Sequence, residues 1–260
     1  MLSALLLACA HHPVAVTQTD AWKGVGFDHA AHTKCRDLEA LDVGWYYDWL
    51  PSSPCDRPGF VPMVWSGWFL EGRAARKLPR PGDGYDAVLA FNEPDLRGQA
   101  NMTVARALEL WPRLEALGLR LGSPAPSQNG RAWLTEFLEG AQQRGYRVDF
   151  LALHWYGDCR DTTALEKFLR SWESWGLPIW LTEWSCRQQD AATNLAFVER
   201  AIPMLDEHPL VERVAWFAVR TVAPDYAGTP LVDARGKLTA LGEFYRSAHR
   251  DRASAAASQP

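Results

Sequence analysis

The chain has 260 residues, 27 basic against 31 acidic side chains, a formal net charge of −4, and 47% hydrophobic and 22% charged residues. These are globular values, with enough length to bury a full core. No basic run offers a phosphate-backbone footprint, so nucleic acid is excluded as a partner, and no stretch of 18 apolar residues is present to cross a bilayer. The departure from ordinary composition is aromatic: 13 Trp, 7 Tyr and 10 Phe make up 12% of the chain.

Residues 1–22 read as a signal-like or lipoprotein-like segment. MLSALLLACA is apolar, lacks the usual basic front end, and gives way to the polar His11-His12-Pro13. Ala8-Cys9-Ala10 fits ordinary cleavage, whereas Leu6-Leu7-Ala8-Cys9 resembles a lipobox that would make Cys9 a lipid anchor. Both readings place the protein outside the cytoplasm, secreted or held at a bacterial cell surface or in the periplasm. A solvated pair is the expected state of His11 and His12.

From Lys23 onward, eight short apolar runs recur: Lys23–Asp28, Val43–Trp49, Phe60–Trp68, Ala87–Asp95, Arg120–Ser127, Phe150–Gly157, Pro178–Trp184 and Val214–Arg220. They lack in/out alternation, as strands buried on both faces of a parallel sheet do. Helical patterns lie between them, at Met102–Leu117 with Gly118 as its stop, Thr163–Trp175 and Ala191–Leu205, and Pro112 should kink or divide the first. Eight β/α alternations without a Gly-rich phosphate turn predict an α/β fold, a (β/α)8 TIM barrel forming a single domain over residues 23–250. Residues 251–260, small and polar, are expected to be disordered.

In such a barrel the active site lies at the C-terminal strand ends. The fourth run ends in Asn92-Glu93-Pro94-Asp95 and the seventh in Thr182-Glu183-Trp184. A glutamate closing each of two buried runs is costly unless hydrogen-bonded or needed for chemistry. Paired carboxylates facing one cleft suit glycoside hydrolysis, in which one protonates the leaving oxygen and the other attacks the anomeric carbon or positions water. A non-catalytic glycan-binding barrel and a barrel lyase or metal enzyme are the competing readings. A zinc role for His154 is weak, because no partner His or Cys stands at ligand spacing.

Four motifs in order, FNEPD at 91–95, SPAPS at 123–127, LALHWYG at 151–157 and PIWLTEW at 178–184, resemble glycoside hydrolase family 128 of the retaining clan A, whose members are endo-β-1,3-glucanases. The resemblance spans about residues 23 to 245. It implies Glu93 as acid/base, Glu183 as nucleophile, and Asn92 as a contact to the sugar 2-hydroxyl. It further implies Tyr156 as the partner of Glu183, His154 as a substrate contact and Trp216 as the floor of the cleavage subsite. Strand-end aromatics Tyr46, Tyr47, Trp49, Trp65, Trp68 and Trp184 are candidate sugar platforms, since indoles match the C–H faces of sugar rings. Asp28, Asp48 and Asp95 are candidate hydroxyl ligands, with loop capping the stronger expectation for each.

The expected partner is therefore a β-1,3-glucan, bound by a monomer that needs neither metal nor organic cofactor; mannan, xylan or cellulose would use the same catalytic pair. Besides Cys9, four cysteines permit three pairings. On the barrel, Cys35 and Cys55 follow neighbouring strands, as do Cys159 and Cys186, so bridges 35–55 and 159–186 are expected.

Overall fold

The structure is a computed structural model that describes residues 21–28, 34–55, 57–220 and 223–248. The expectations for the leader, Cys9, His11, His12 and residues 251–260 lie outside these. The strands β1 (Lys23–Gly26), β2 (Trp45–Tyr47), β3 (Ala87–Val88), β4 (Arg120–Leu121), β5 (Leu151–Trp155), β6 (Ile179–Trp184) and β7 (Val211–Trp216) pair only in parallel. One ladder runs β2-β1-β7-β6-β5 and a second joins β3 to β4.

The third apolar run forms no strand. Pro62 supplies no N–H to a ladder, and the segment makes isolated parallel bridges instead, Tyr46 to Phe60 and Met63 to Leu89. Two more bridges, Asn92 to Ala125 and Gly122 to Phe150, link β3, β4 and the start of β5. The long fourth and fifth runs likewise contain only two-residue ladders, interrupted near Pro94, Pro124 and Pro126.

The helices are α1 (Cys35–Leu41), α2 (Val104–Glu115), α3 (Arg131–Gln143), α4 (Thr163–Arg170), α5 (Ala191–Glu207) and α6 (Ala240–Ser247). The expected β/α alternation is thus incomplete among the described residues. Between β2 and β3 the Pro- and Gly-rich chain forms only the short 3-10 turns Gly67–Leu70 and Ala74–Lys77. Thr103 caps α2, its hydroxyl accepting from the Arg106 N–H. Pro112 does not divide that helix, because it sits exposed with only three helical residues after it.

Alternation along each strand builds two cores, one on each face of the sheet. Trp45, Tyr47, Met63, Leu89, Phe150 and Trp180 fill the inner one. Tyr46, Val88, Leu153, Trp184 and Trp216 belong to the larger core that includes helix residues such as Trp111 and Phe197. Distant segments are tied together at three places. The Lys23 ammonium donates to the carbonyls of Tyr245, Arg246 and Ala248 at the end of α6, and burial lowers its pKa to about 8. Arg220 after β7 grips Asp37 of α1 at 2.8 and 3.0 Å. Both expected disulfides are present, Cys35–Cys55 and Cys159–Cys186, with Cα atoms 5.5 and 5.7 Å apart.

Candidate active site

Regular alternation would turn Glu183 away from the inner face, since Trp180 already points there. A bulge prevents this. Leu153 pairs with Leu181, but the next pair is His154 with Glu183, so Thr182 is passed over. The same extra residue appears against β7, where Leu181 pairs with Val214 and Trp184 with Trp216. Bulges commonly re-aim a side chain beside an active site; this one brings Glu183 to the side of His154.

On the other wall, successive residues Asn92 and Glu93 both line the cleft. Glu93 has φ 39°, the left-handed region that non-glycine residues seldom occupy. That backbone turn lets two neighbours face one space, at a cost of about 1–3 kcal/mol of strain of the kind that clusters at functional sites. Its N–H bonds to the Ala125 carbonyl at 2.7 Å and its carbonyl receives the Leu96 N–H at 3.0 Å.

Three donors converge on the buried Glu183 carboxylate. Tyr47 and the Trp49 indole reach Oε1 at 3.1 and 3.0 Å, and the Tyr156 hydroxyl donates to Oε2. A carboxylate withdrawn from water needs such partners. Burial, and then the charge of Glu183, push the Tyr47 and Tyr156 phenols well above their usual range, so both remain protonated donors. His154 is buried between the two carboxylates, Nδ1 3.2 Å from Glu93 and Nε2 3.5 Å from Glu183. Burial opposes its charge, yet Glu183, with the hydrogen bond and charge of Glu93, raises its pKa overall.

Glu93, His154 and Glu183 offer ligand atoms that all lie within 4.8 Å of one another, and among the described residues this trio could hold a metal ion. Its two carboxylates on either side of an imidazole can equally exchange protons. The open cleft above them, about 470 Å³, is lined by Asp28, Asp48, Trp49, Trp65, Asn92 and Gln99 on one hand and Tyr156, Phe217 and Tyr226 on the other. Asn92 Nδ2 donates to Gln99 at 3.3 Å, while its Oδ1 is buried with no partner among the described residues. That leaves an acceptor available beside Glu93.

Several expected positions are corrected. Tyr46, Trp184 and Trp216 are fully buried in the helix-side core, not in the cleft. Tyr46 donates to the Cys55 carbonyl at 3.1 Å, Trp216 to the Thr229 carbonyl at 2.9 Å, and Trp184 packs edge-on against Trp216. The reason is alternation, for their neighbours Tyr47, Glu183 and Phe217 take the inward positions. His154 has no free face for a sugar. Trp65 lines the cleft, whereas Trp68, 67% exposed, projects from the Gly67–Leu70 turn outside its lining. Asp95 caps a loop, binding the N–H and hydroxyl of Ser127 at 2.8 and 2.5 Å. Phe217 and Tyr226 escaped the sequence reading. The phase of β7 could have revealed Phe217, but Tyr226 lies in a 3-10 turn with no periodic signal.

A family model described as "Glycosyl hydrolase catalytic core" matches residues 24–245. A subgroup I endo-β-1,3-glucanase of family 128 from Amycolatopsis mediterranei, solved with laminaritriose, is 34% identical, with a TM-score of 0.74 over 88% of this chain and 99% of that one. The chain belongs to glycoside hydrolase family 128. Two further family 128 structures superpose as well: a subgroup II endo-β-1,3-glucanase from Sorangium cellulosum (29% identity, TM-score 0.75, covering 88% and 99%) and a subgroup III curdlan-specific exo-β-1,3-glucanase from Blastomyces gilchristii (28%, 0.72, covering 89% and 100%). The curated Alkali-sensitive linkage protein 1 of Schizosaccharomyces pombe is 34% identical over 225 residues, 79% of this chain, which spans 40% of that relative's length. Family 128 membership makes this protein a glycoside hydrolase with the parallel α/β fold of those structures, and sets aside a binding module without catalysis.

Proposed function

We propose that this protein is an endo-β-1,3-glucanase acting with retention of anomeric configuration, Glu93 as acid/base and Glu183 as nucleophile. The observation that carries the reading is the pair itself. Oxygens of the two glutamates come within 4.8 Å, with Glu183 gripped by three donors and Glu93 on the opposite wall. Retaining enzymes hold their carboxyls about 5–5.5 Å apart, whereas inverting ones leave about 6.5–9.5 Å for an intervening water.

In the first half-reaction Glu93 gives its proton to the glycosidic oxygen while Glu183 Oε attacks the anomeric carbon. The C–O bond to the leaving sugar breaks and a glycosyl ester forms. In the second, Glu93 removes a proton from water, the water oxygen attacks the same carbon, and the ester bond breaks to release Glu183. The Tyr47, Trp49 and Tyr156 donors hold the carboxylate in line throughout, a preorganisation that needs no rearrangement at the moment of reaction. Asn92, whose buried Oδ1 has no partner among the described residues, receives the sugar 2-hydroxyl. Trp65, in the cleft lining, offers a ring face to a flanking sugar.

The fold is read as a (β/α)8 barrel over residues 23–250, because the ladders and isolated bridges, followed in chain order, lead from β1 through β7 and back to β1. Two disulfides support an extracytoplasmic location, secreted or anchored through Cys9, since such bonds persist in oxidising compartments. A monomer completes the reading.

The test incubates the protein with laminarin, curdlan, mannan, xylan and cellulose. Internal cleavage of the β-1,3-glucans, with β-configured initial products by NMR, is expected. Release of glucose alone would indicate exo action, cleavage confined to another glycan would replace the substrate, and α-configured initial product would mean inversion. Glu183→Ala should abolish turnover while laminari-oligosaccharides still bind.

A further inference from the structure

Beyond Glu93 and Glu183 the cleft holds an aromatic that the mechanism above leaves unused. Tyr226 lines it, packed at 4.9 Å against Phe217 and 5.6 Å against Tyr156, both near perpendicular. Its hydroxyl makes no hydrogen bond to any described residue. Burial, only partly countered by Arg187, and then the charges of Glu183 and Glu93 push the phenol up to about 12, so it carries its proton through the neutral range. A protonated phenol beside two carboxylates, lining the cleft and without an acceptor among the described residues, is a donor waiting for a ligand oxygen.

The ring also packs against a cation. The guanidinium of Arg187, in the loop after β6, lies 5.4 Å from the Tyr226 centroid and bonds Asp225 at 2.7 Å. Gln188 adds its N–H to the Asp225 carbonyl at 2.7 Å, and Cys186, next to Arg187, is bridged to Cys159. Arg187 and Asp225 are 46% and 42% exposed, and an ion pair so open contributes little to stability. What it does hold is the turn Pro224–Tyr226, and with it the ring.

We propose that Tyr226 is a substrate-binding residue donating from its hydroxyl to a sugar hydroxyl next to the cleavage point, and that Arg187, through Asp225, is its positioning residue. This rests on reading the cleft as the glucan site. It adds a recognition element from the loop after β7, held by the loop after β6.

Steady-state kinetics on laminarin test it with Tyr226→Phe, Arg187→Ala and Arg187→Lys. Loss of one neutral hydrogen bond to substrate should raise KM about tenfold in Tyr226→Phe with kcat little changed. Arg187→Ala should raise KM in the same direction by about threefold at an unaltered melting temperature, and Arg187→Lys, which keeps a cation for Asp225, should recover most of it. An unchanged KM in Tyr226→Phe overturns the substrate role. A KM change in Arg187→Ala that appears only with a lowered melting temperature, or that lysine fails to recover, overturns the positioning role. If wild type cleaves a different β-glycan, the β-1,3-glucan reading fails and the same ratios on that glycan decide this proposal. If it binds no glycan, both fall.

Discussion

His154 stands opposite Glu183 where an unbroken register would have placed Thr182. One passed-over residue in β6 therefore sets the geometry of the cleft, because it turns a carboxylate from the helix side to the inner face, within reach of Tyr47, Trp49 and Tyr156.

Tyr156 is the first place to test that arrangement. Its hydroxyl is the donor to Glu183 Oε2, and a hydrogen bond to a charged group is worth about 1.5–3 kcal/mol. Tyr156→Phe should lower kcat on laminarin roughly 10- to 100-fold with the melting temperature preserved. An unchanged kcat would remove Tyr156 from the machinery.

The pH dependence of stability follows from His154. Its folded-state pKa is raised, because the Glu183 charge and the contacts with Glu93 outweigh the burial that opposes them. A raised folded value means that its stabilising contribution is complete below the unfolded value of about 6.5 and is lost as pH rises through the higher folded value. Urea midpoints of wild type minus His154→Asn should accordingly be largest at pH 5 and shrink above about 6.5. A difference that grows with pH would reverse the assignment.

Trp216 and Phe217 are adjacent in sequence and opposite in consequence. Trp216 is fully buried with its indole bonded to Thr229, while Phe217 lines the cleft. Trp216→Ala should cost about 3–5 kcal/mol in denaturant unfolding. Phe217→Ala should chiefly weaken oligosaccharide binding, read by calorimetry. The opposite pattern would restore Trp216 as the subsite floor.

The two bridges close loops with sequence separations of 20 and 27 residues, for which chain entropy gives about 3 kcal/mol each. Cys159→Ser/Cys186→Ser should lose about that much stability and, because Cys186 adjoins Arg187, should also raise KM. Thiol titration of the unfolded, unreduced protein should find none of Cys35, Cys55, Cys159 and Cys186 reactive.

Much of this site was legible in the sequence because its signals are local. FNEPD and LTEW mark strand ends by their residues alone, and Cys35, Cys55, Cys159 and Cys186 paired as the order of neighbouring strands requires. Which aromatics face a sugar was not legible. In continuously apolar runs such as VGWYYDW and VAWF, both faces are buried, so composition cannot tell Tyr46 from Tyr47 or Trp216 from Phe217. Phase decides, and phase is set by pairing, by the bulge at Thr182 and by the left-handed turn at Glu93.

By itself the sequence pointed to the family and to two strand-end glutamates, which follow from residue identity and order, while the cysteine partners followed only once their runs were placed as neighbouring strands. Only the tertiary structure decided that Trp184 and Trp216 support the site from the helix side, that Tyr47 and Trp49 hold Glu183, and that Tyr226 reaches the cleft from a turn. A side chain's direction depends on hydrogen-bond register between segments far apart in the chain, and a register shift of one residue exchanges every inward neighbour for an outward one.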